Sequence, residues 1–355
     1  MNKNVFIRVN GRGSAWPVFI GNNHPFYSMN DPDDLGNASF SIFGSPADEF
    51  SFEKIEWSIL IDAGHNIPSY IIRNENRIPD TIILTHPHID HTLGLDWIIE
   101  SYNYKHHKQK KYPLYATSPC WEIVRKTYYP LNNIVEFKEL VPGEPVDISE
   151  VPGARVTALP VYHGEKGLGA SMLVFEFSGE DDISETAAFS GDMLCPLFRR
   201  IDYHVLSLAK VLYVDCNNRF PYPLSTHGSL TAKDPVTGSM NQSLIDFIEH
   251  ITFPELMAPH LQHPHNPHIQ KHLNEVLKEN PNPGELPFSV IDLLRRAPVP
   301  LVNLVHYGGR EDELFNGQSM LTDIELETWA NSEAEKEMIE SEFVVPKAGN
   351  LFKLI

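Results

Sequence analysis

Cysteine is nearly absent. Cys120, Cys195 and Cys216 are odd in number and far apart, and no CxxC pair occurs, which excludes a disulfide framework and a thiolate zinc site. No uncharged apolar run approaches the ~18 residues of a membrane-spanning helix. The opening MNKNVFIRVNGRG lacks the continuous apolar stretch of a signal peptide. These absences read as a soluble cytoplasmic protein with no membrane association. Basic charge is also short: 28 Lys and Arg stand against 47 Asp and Glu, a formal net charge of −19. Such a chain is a poor partner for nucleic acid or an anionic membrane, so a small-molecule substrate is expected. The one basic cluster, KHHKQKK at 105–111, reads as a solvated turn.

What is present is core material. Hydrophobic residues make up 42% of the 355, enough to exclude wholesale disorder. Length alone is compatible with two domains or one large α/β sandwich. The chain has 28 prolines, which cut it into short elements. Compact or alternating apolar runs predict strands at 5–9, 39–43, 57–61, 81–84, 156–159, 172–177, 186–189 and 211–214. Helical spacing predicts helices at 92–102, 119–128, 242–250, 269–278, 288–296 and 323–338. Strands in runs with helices between them fit two packed sheets flanked by helices better than strict βαβ alternation. The stretches 220–239 and 259–267 read as loops.

The chemistry is concentrated in TIILTHPHIDHTLGLDWIIES, residues 81–101. A β-type run ends at Thr85, and His86, His88, Asp90 and His91 follow within six residues, before a helix-like segment. Imidazole and carboxylate groups crowded into one strand-to-helix loop are the donors a divalent metal takes. The motif resembles the signature of the metallo-β-lactamase superfamily, and further segments match in order. They are GRGSAWPV at 11–18 with GNASFSI at 36–42, LIDAG at 60–64, PVYHG at 160–164, FSGDM at 189–193, LVNLVHYGGR at 301–310 and PKAGNLFKL at 346–354.

The resemblance implies an αββα sandwich, two mixed β-sheets flanked by helices, with metals at the sheet edge. It implies one domain over 1–355, a helical and loop insertion around 217–298, and a C-terminal helix plus strand at 320–355. Carried over residue by residue, His86, His88 and His163 would hold one divalent ion. Asp90, His91 and His306 would hold a second, with Asp192 bridging. Taken alone, His163 and His306 read as structural histidines and Asp192 as a turn residue; their order after HxHxDH is what assigns them. Asp62 would orient the metal loop. Zinc is the first expectation, and the same N/O donors accept manganese or iron. Open coordination positions would let a bridging water lose its proton near neutrality, so hydrolysis is expected.

The order FSGDM, KVLYVDCN at 210–217 and THGSLTA at 226–232 is similar to the ribonuclease Z-like and phosphodiesterase branch. That branch implies catalytic roles for Asp90, for Asp215 as an acidic partner and for His227 as proton donor, with Arg310 able to meet a phosphate oxygen. It also suggests a homodimer. Departures (VDCN without a Glu, YGG after His306, no basic glycine-rich arm) argue against RNA and for a small phosphodiester, a cyclic nucleotide or cyclic sugar phosphate. The alternatives are a lactone, thioester or amide hydrolase, an RNA-processing nuclease, an iron redox protein, and a non-catalytic metal-binding module. His260, His263, His265, His268 and His272 read as a polar loop entering a helix, with an extra metal site or lid as the competing reading.

Overall fold

The structure, a computed structural model, describes residues 4–107, 109–178, 184–262 and 266–355. The first half of the chain builds one sheet from β1 (Asn4–Gly11), β2 (Ser39–Ser45), β3 (Trp57–Ile61), β4 (Thr81–Ile83), β5 (Tyr112–Ala116) and β6 (Val135–Glu139). The second half builds another from β7 (Pro145–Asp147), β8 (Ala154–Tyr162), β9 (Ser171–Ser178), β10 (Ser184–Phe189), β11 (Cys195–Pro196), β12 (Ala209–Asp215), β13 (Leu301–Val305) and β14 (Glu342–Val344). The last strand, β15 (Leu351–Lys353), crosses back to pair antiparallel with β1. The orders are β15-β1-β2-β3-β4-β5-β6 and β11-β8-β9-β10-β12-β13-β14, with β7 paired to β8.

Both faces of each sheet are covered, which the apolar runs require. Along β3, Ile59 and Ile61 enter the core between the sheets, while Leu60 faces the helices. In β12, Val211 and Tyr213 point between the sheets and Leu212 and Val214 point out. Helices α1 (Ile67–Asn74), α3 (Leu95–Lys105) and α4 (Ser118–Thr127) cover the first sheet through Ile67, Ile71, Ile98, Ile99 and Val124. Helices α5 (Arg200–Ser207), α9 (Val290–Arg296) and α11 (Asp323–Lys336) cover the second through Leu206, Ile291, Leu294, Leu326 and Ala330. Two mixed sheets with flanking helices are the layers of the metallo-β-lactamase sandwich, as expected.

The expected helix at 92–102 is two helices. The short α2 (Ile89–Thr92) stops and α3 begins at Leu95, because Gly94 donates its N–H to Ala63 O across 2.7 Å and packs on Pro68. Strands β5 and β6 and helix α1 were not expected. The sequence of β5, YPLYA, places Pro113 inside a central strand, a position pattern reasoning excludes.

Helices α6 (Gln242–His250), α7 (Phe253–Met257) and α8 (Pro267–Glu279) form a satellite core on the β11 side of the second sheet, with Leu244, Leu256 and Leu273 packed toward Tyr162, Leu194 and Leu197. Two histidines hold it there. His260 Nε2 lies 3.0 Å from Val161 O, and His272 Nε2 lies 3.2 Å from Leu197 O, so both rings are structural donors. His268 pairs with Glu144. His263 and His265 lie outside the described residues, so the extra-site reading of this segment has no support from the histidines that are described.

Burial pushes the His260 pKa down to about 4, and its Nδ1 has no partner to accept a second proton's hydrogen bond. Between pH 6.5 and 4 the unfolded chain therefore binds a proton that the folded one refuses, and stability falls as pH drops through this window. This histidine alone accounts for ~3 kcal/mol across it. Denaturant titrations at pH 7 and 4.5 are expected to show a smaller acid loss for His260→Gln, whose amide keeps the donor, than for the native chain.

Candidate metal centre

The sandwich delivers six strand ends to one edge. Asp62 follows β3, His86 follows β4, His163 follows β8, Asp192 follows β10, Asp215 ends β12 and His306 follows β13. His88, Asp90 and His91 come from the loop and the α2 turn after β4. Two glycines permit this convergence. A Cβ on Gly64 would sit 1.7 Å from Asp90 O, and Gly191 adopts φ +57° with Thr85 against it. That is the physical content of the DAG and SGD segments.

The side chains meet in two groups. His86, His88 and His163 form one; Asp90, His91, Asp192 and His306 form the other, with donor atoms in each group within 4.8 Å of one another. Asp192 spans both: its Oδ2 lies 3.6 Å from His86 Nε2, 3.7 Å from His163 Nε2 and 3.3 Å from His306 Nε2, while Oδ1 lies 3.3 Å from His91 Nε2. Asp90 Oδ2 lies 3.4 Å from His91 Nε2 and 3.6 Å from His306 Nε2.

A second layer of hydrogen bonds turns the rings. Asp62 accepts from Thr85 N and Oγ1 at 2.9 and 2.7 Å and from His91 Nδ1 at 2.7 Å. The Thr85 hydroxyl hydrogen is thus spent on Asp62, so its oxygen accepts from His86 Nδ1 at 3.0 Å. His163 Nδ1 donates to Thr226 O at 2.9 Å. Each of these rings therefore presents Nε2 to the centre. The backbone is strained to do it: Asp62 and His306 sit at φ +56° and +64°.

The donors fit divalent cations. His86 Nε2, His91 Nε2 and both nitrogens of His306 are buried without hydrogen-bond partners. Burial first, then neighbouring imidazoles, holds His86 well below the usual histidine range, and burial takes His163 down to about 3. These rings are neutral, as metal binding requires. Burial would raise Asp90 and Asp192, but the surrounding histidines override it and keep both carboxylates charged. His91, despite burial, is driven far up by Asp192, Asp90 and Asp62, which marks a place that demands positive charge. No Lys or Arg pairs with Asp62, Asp90, Asp192 or Asp215 among the described residues.

Asp215 and His227 are also brought here. Asp215 accepts from Met193 N at 3.1 Å, Asn217 N at 3.1 Å, Gly228 N at 3.2 Å and His227 Nδ1 at 3.0 Å. It is buried and orients His227, which lines the cavity beside His88, His163 and Asp192. The loop bearing His227 is anchored upstream, where buried Asp312 accepts from Arg219 N and Phe220 N. Arg310 does not meet the site. Its guanidinium donates to Trp16 O at 2.7 Å and stacks over Phe19 at 3.5 Å, because the segment after β1 folds back over the C-terminal end of β13. That segment, GRGSAWPV, resembles the family's opening strand and loop, but the place of Trp16 on the cavity wall had to be seen folded to be found.

Residues 58–223 match the model of the β-lactamase superfamily domain. A crystal structure of a diphosphatase from the PhnP family is 16% identical, with 98% of this chain and 97% of that one covered and a TM-score of 0.57. The metallo-β-lactamase fold protein YhfI from Bacillus subtilis is 13% identical, with 99% of both chains covered and a TM-score of 0.55. A long form RNase Z from yeast is 14% identical over 99% of this chain and 42% of its own, with a TM-score of 0.50. No curated protein matches the sequence. The family match covers a little under half of the chain, and the structural likeness shows that the whole chain has the metallo-β-lactamase fold, a fold that implies divalent metal binding.

Asp62 does not line the open cavity over the centre, yet it sets Thr85, His91 and, through Thr85, His86. Asp62→Ala is expected to weaken metal uptake by about 10- to 100-fold, read by equilibrium dialysis with elemental analysis. Retention of native affinity would show that the rings hold their orientation without it.

Proposed function

We propose that the protein is a dinuclear metal-dependent hydrolase acting on a small phosphodiester, a cyclic nucleotide or a cyclic sugar phosphate. His86, His88 and His163 would hold one ion, zinc in the first instance, and Asp90, His91 and His306 the other, with Asp192 available to both. Such ions would supply an acidified water and neutralise negative charge on the reacting ester.

The observation that carries the reading is the His227–Asp215 pair. His227 Nδ1 is committed to Asp215, which leaves Nε2 for the cavity. Burial disfavours its charge, but Asp215, Asp192 and Asp90 outweigh burial and raise it to about 9. Asp215, which is not among the proposed ligands, keeps its hydrogen bond to the ring, and the proton this favours on His227 is there to be passed to a departing alkoxide, the poor leaving group of an alkyl phosphodiester. Asp90 and Asp192 remain anionic beside it.

The names of two relatives, a diphosphatase and an RNase Z, agree with phosphate chemistry. A polynucleotide substrate is disfavoured by the net charge of −19 and by a cavity wall without Lys or Arg among the described residues. That same lack of basic side chains favours a second reading, hydrolysis of a lactone or thioester on the same centre.

The zinc- or manganese-loaded protein is expected to turn over phosphodiesters and to lose this on His88→Ala. His227→Ala is expected to lower kcat by about 10²- to 10⁴-fold for an alkyl leaving group and far less for 4-nitrophenolate, which needs no proton. Turnover of lactones or thioesters with no phosphodiester cleaved would decide for the second reading.

A further inference from the structure

The cavity over the centre, about 710 Å³, has two unlike walls. One is the metal-type cluster with His227. The other is apolar and open: Trp16 is 64% exposed, Ile89 59% and Leu93 42%. Ile89 opens α2 inside the His86–His91 motif and Leu93 caps that helix one turn on, so they share a face directly beside the donors.

The exposure of Trp16 is not that of a loose loop. Asn37 Nδ2 donates to Ser14 O at 2.6 Å and Ala15 O at 3.4 Å, and Arg310 donates to Trp16 O at 2.7 Å. Asn37 in turn accepts from His65 N at 2.7 Å, which ties the segment to the DAG turn. A large ring held in water by a pinned backbone, beside two exposed aliphatic side chains, is a surface awaiting a ligand group. The charge pattern narrows the class, because no Lys or Arg lines the cavity among the described residues. Only one anionic group can be met, and it is met at the metal centre.

Resting on the phosphodiesterase reading, we infer that the substrate carries a flat aromatic group, a nucleobase or an aryl ring, which lies on the Trp16 indole while a singly charged phosphate faces the centre. This separates the two phosphodiester classes: a cyclic nucleotide fits, whereas a cyclic sugar phosphate leaves the apolar wall in water.

The test uses phosphonates, which are bound but not cleaved, titrated calorimetrically into the zinc-loaded protein. Phenylphosphonate is expected to bind about tenfold tighter than cyclohexyl- or methylphosphonate. Trp16→Ala should remove that preference without changing the methylphosphonate affinity, and Trp16→Phe should restore most of it. Trp16 is exposed and makes no side-chain hydrogen bond, so these variants leave the fold intact. Equal affinities in the native protein, no binding of any phosphonate, or a preference that survives Trp16→Ala overturns the inference. Failure to cleave any phosphodiester would remove the proposed activity and leave the phosphonate affinities standing, so the two outcomes are separable.

Discussion

Four carboxylates, Asp62, Asp90, Asp192 and Asp215, are buried within one small volume at the sheet edge, and their ion-pair partners are histidines. Buried charge of one sign is tolerated only if something of the opposite sign shares the space. Protonated imidazole can serve for one or two of them, and the upward drive on His91 is that solution in the absence of metal. Divalent cations serve better, since they replace a proton with two charges and satisfy the inward nitrogens that otherwise have no partner. The rest of the site follows from this requirement.

The six strand ends come from both sheets, so the cluster also joins the two halves of the sandwich. Asp62, His86, His88, Asp90 and His91 belong to the first sheet's edge; His163, Asp192, Asp215 and His306 to the second's. Positive φ at Asp62 and His306 costs on the order of 1 kcal/mol or more each. The contacts that hold those residues are the ones that aim the donors. Strain is located where aim matters.

His86, His88, Asp90 and His91 were legible in the sequence because HxHxDH is too dense in donors to be a turn. His163, Asp192, His306 and Asp62 carry no such density and were legible only through the resemblance that orders their segments around it. Arg310 was not: beside His306 it resembled a phosphate contact, but only the folded chain reveals that Trp16 O takes its hydrogen bonds. The strand β5 was hidden by Pro113, and β6 by a charged, half-exposed sequence, VEFKE, at the sheet edge. The apolar cavity wall was invisible because Trp16 is more than seventy positions from Ile89 and Leu93 in the chain, and only the fold brings the three together.

The pairing of β15 with β1, through Phe6 opposite Lys353 and Arg8 opposite Leu351, has a bearing on synthesis. Strand β1 gains its outer neighbour only after the whole stretch from Gly11 to Leu351 has been translated. Until then, Val5, Ile7 and Val9 belong to an open sheet margin, and such margins recruit other chains. Closing that seam is an intramolecular race against aggregation.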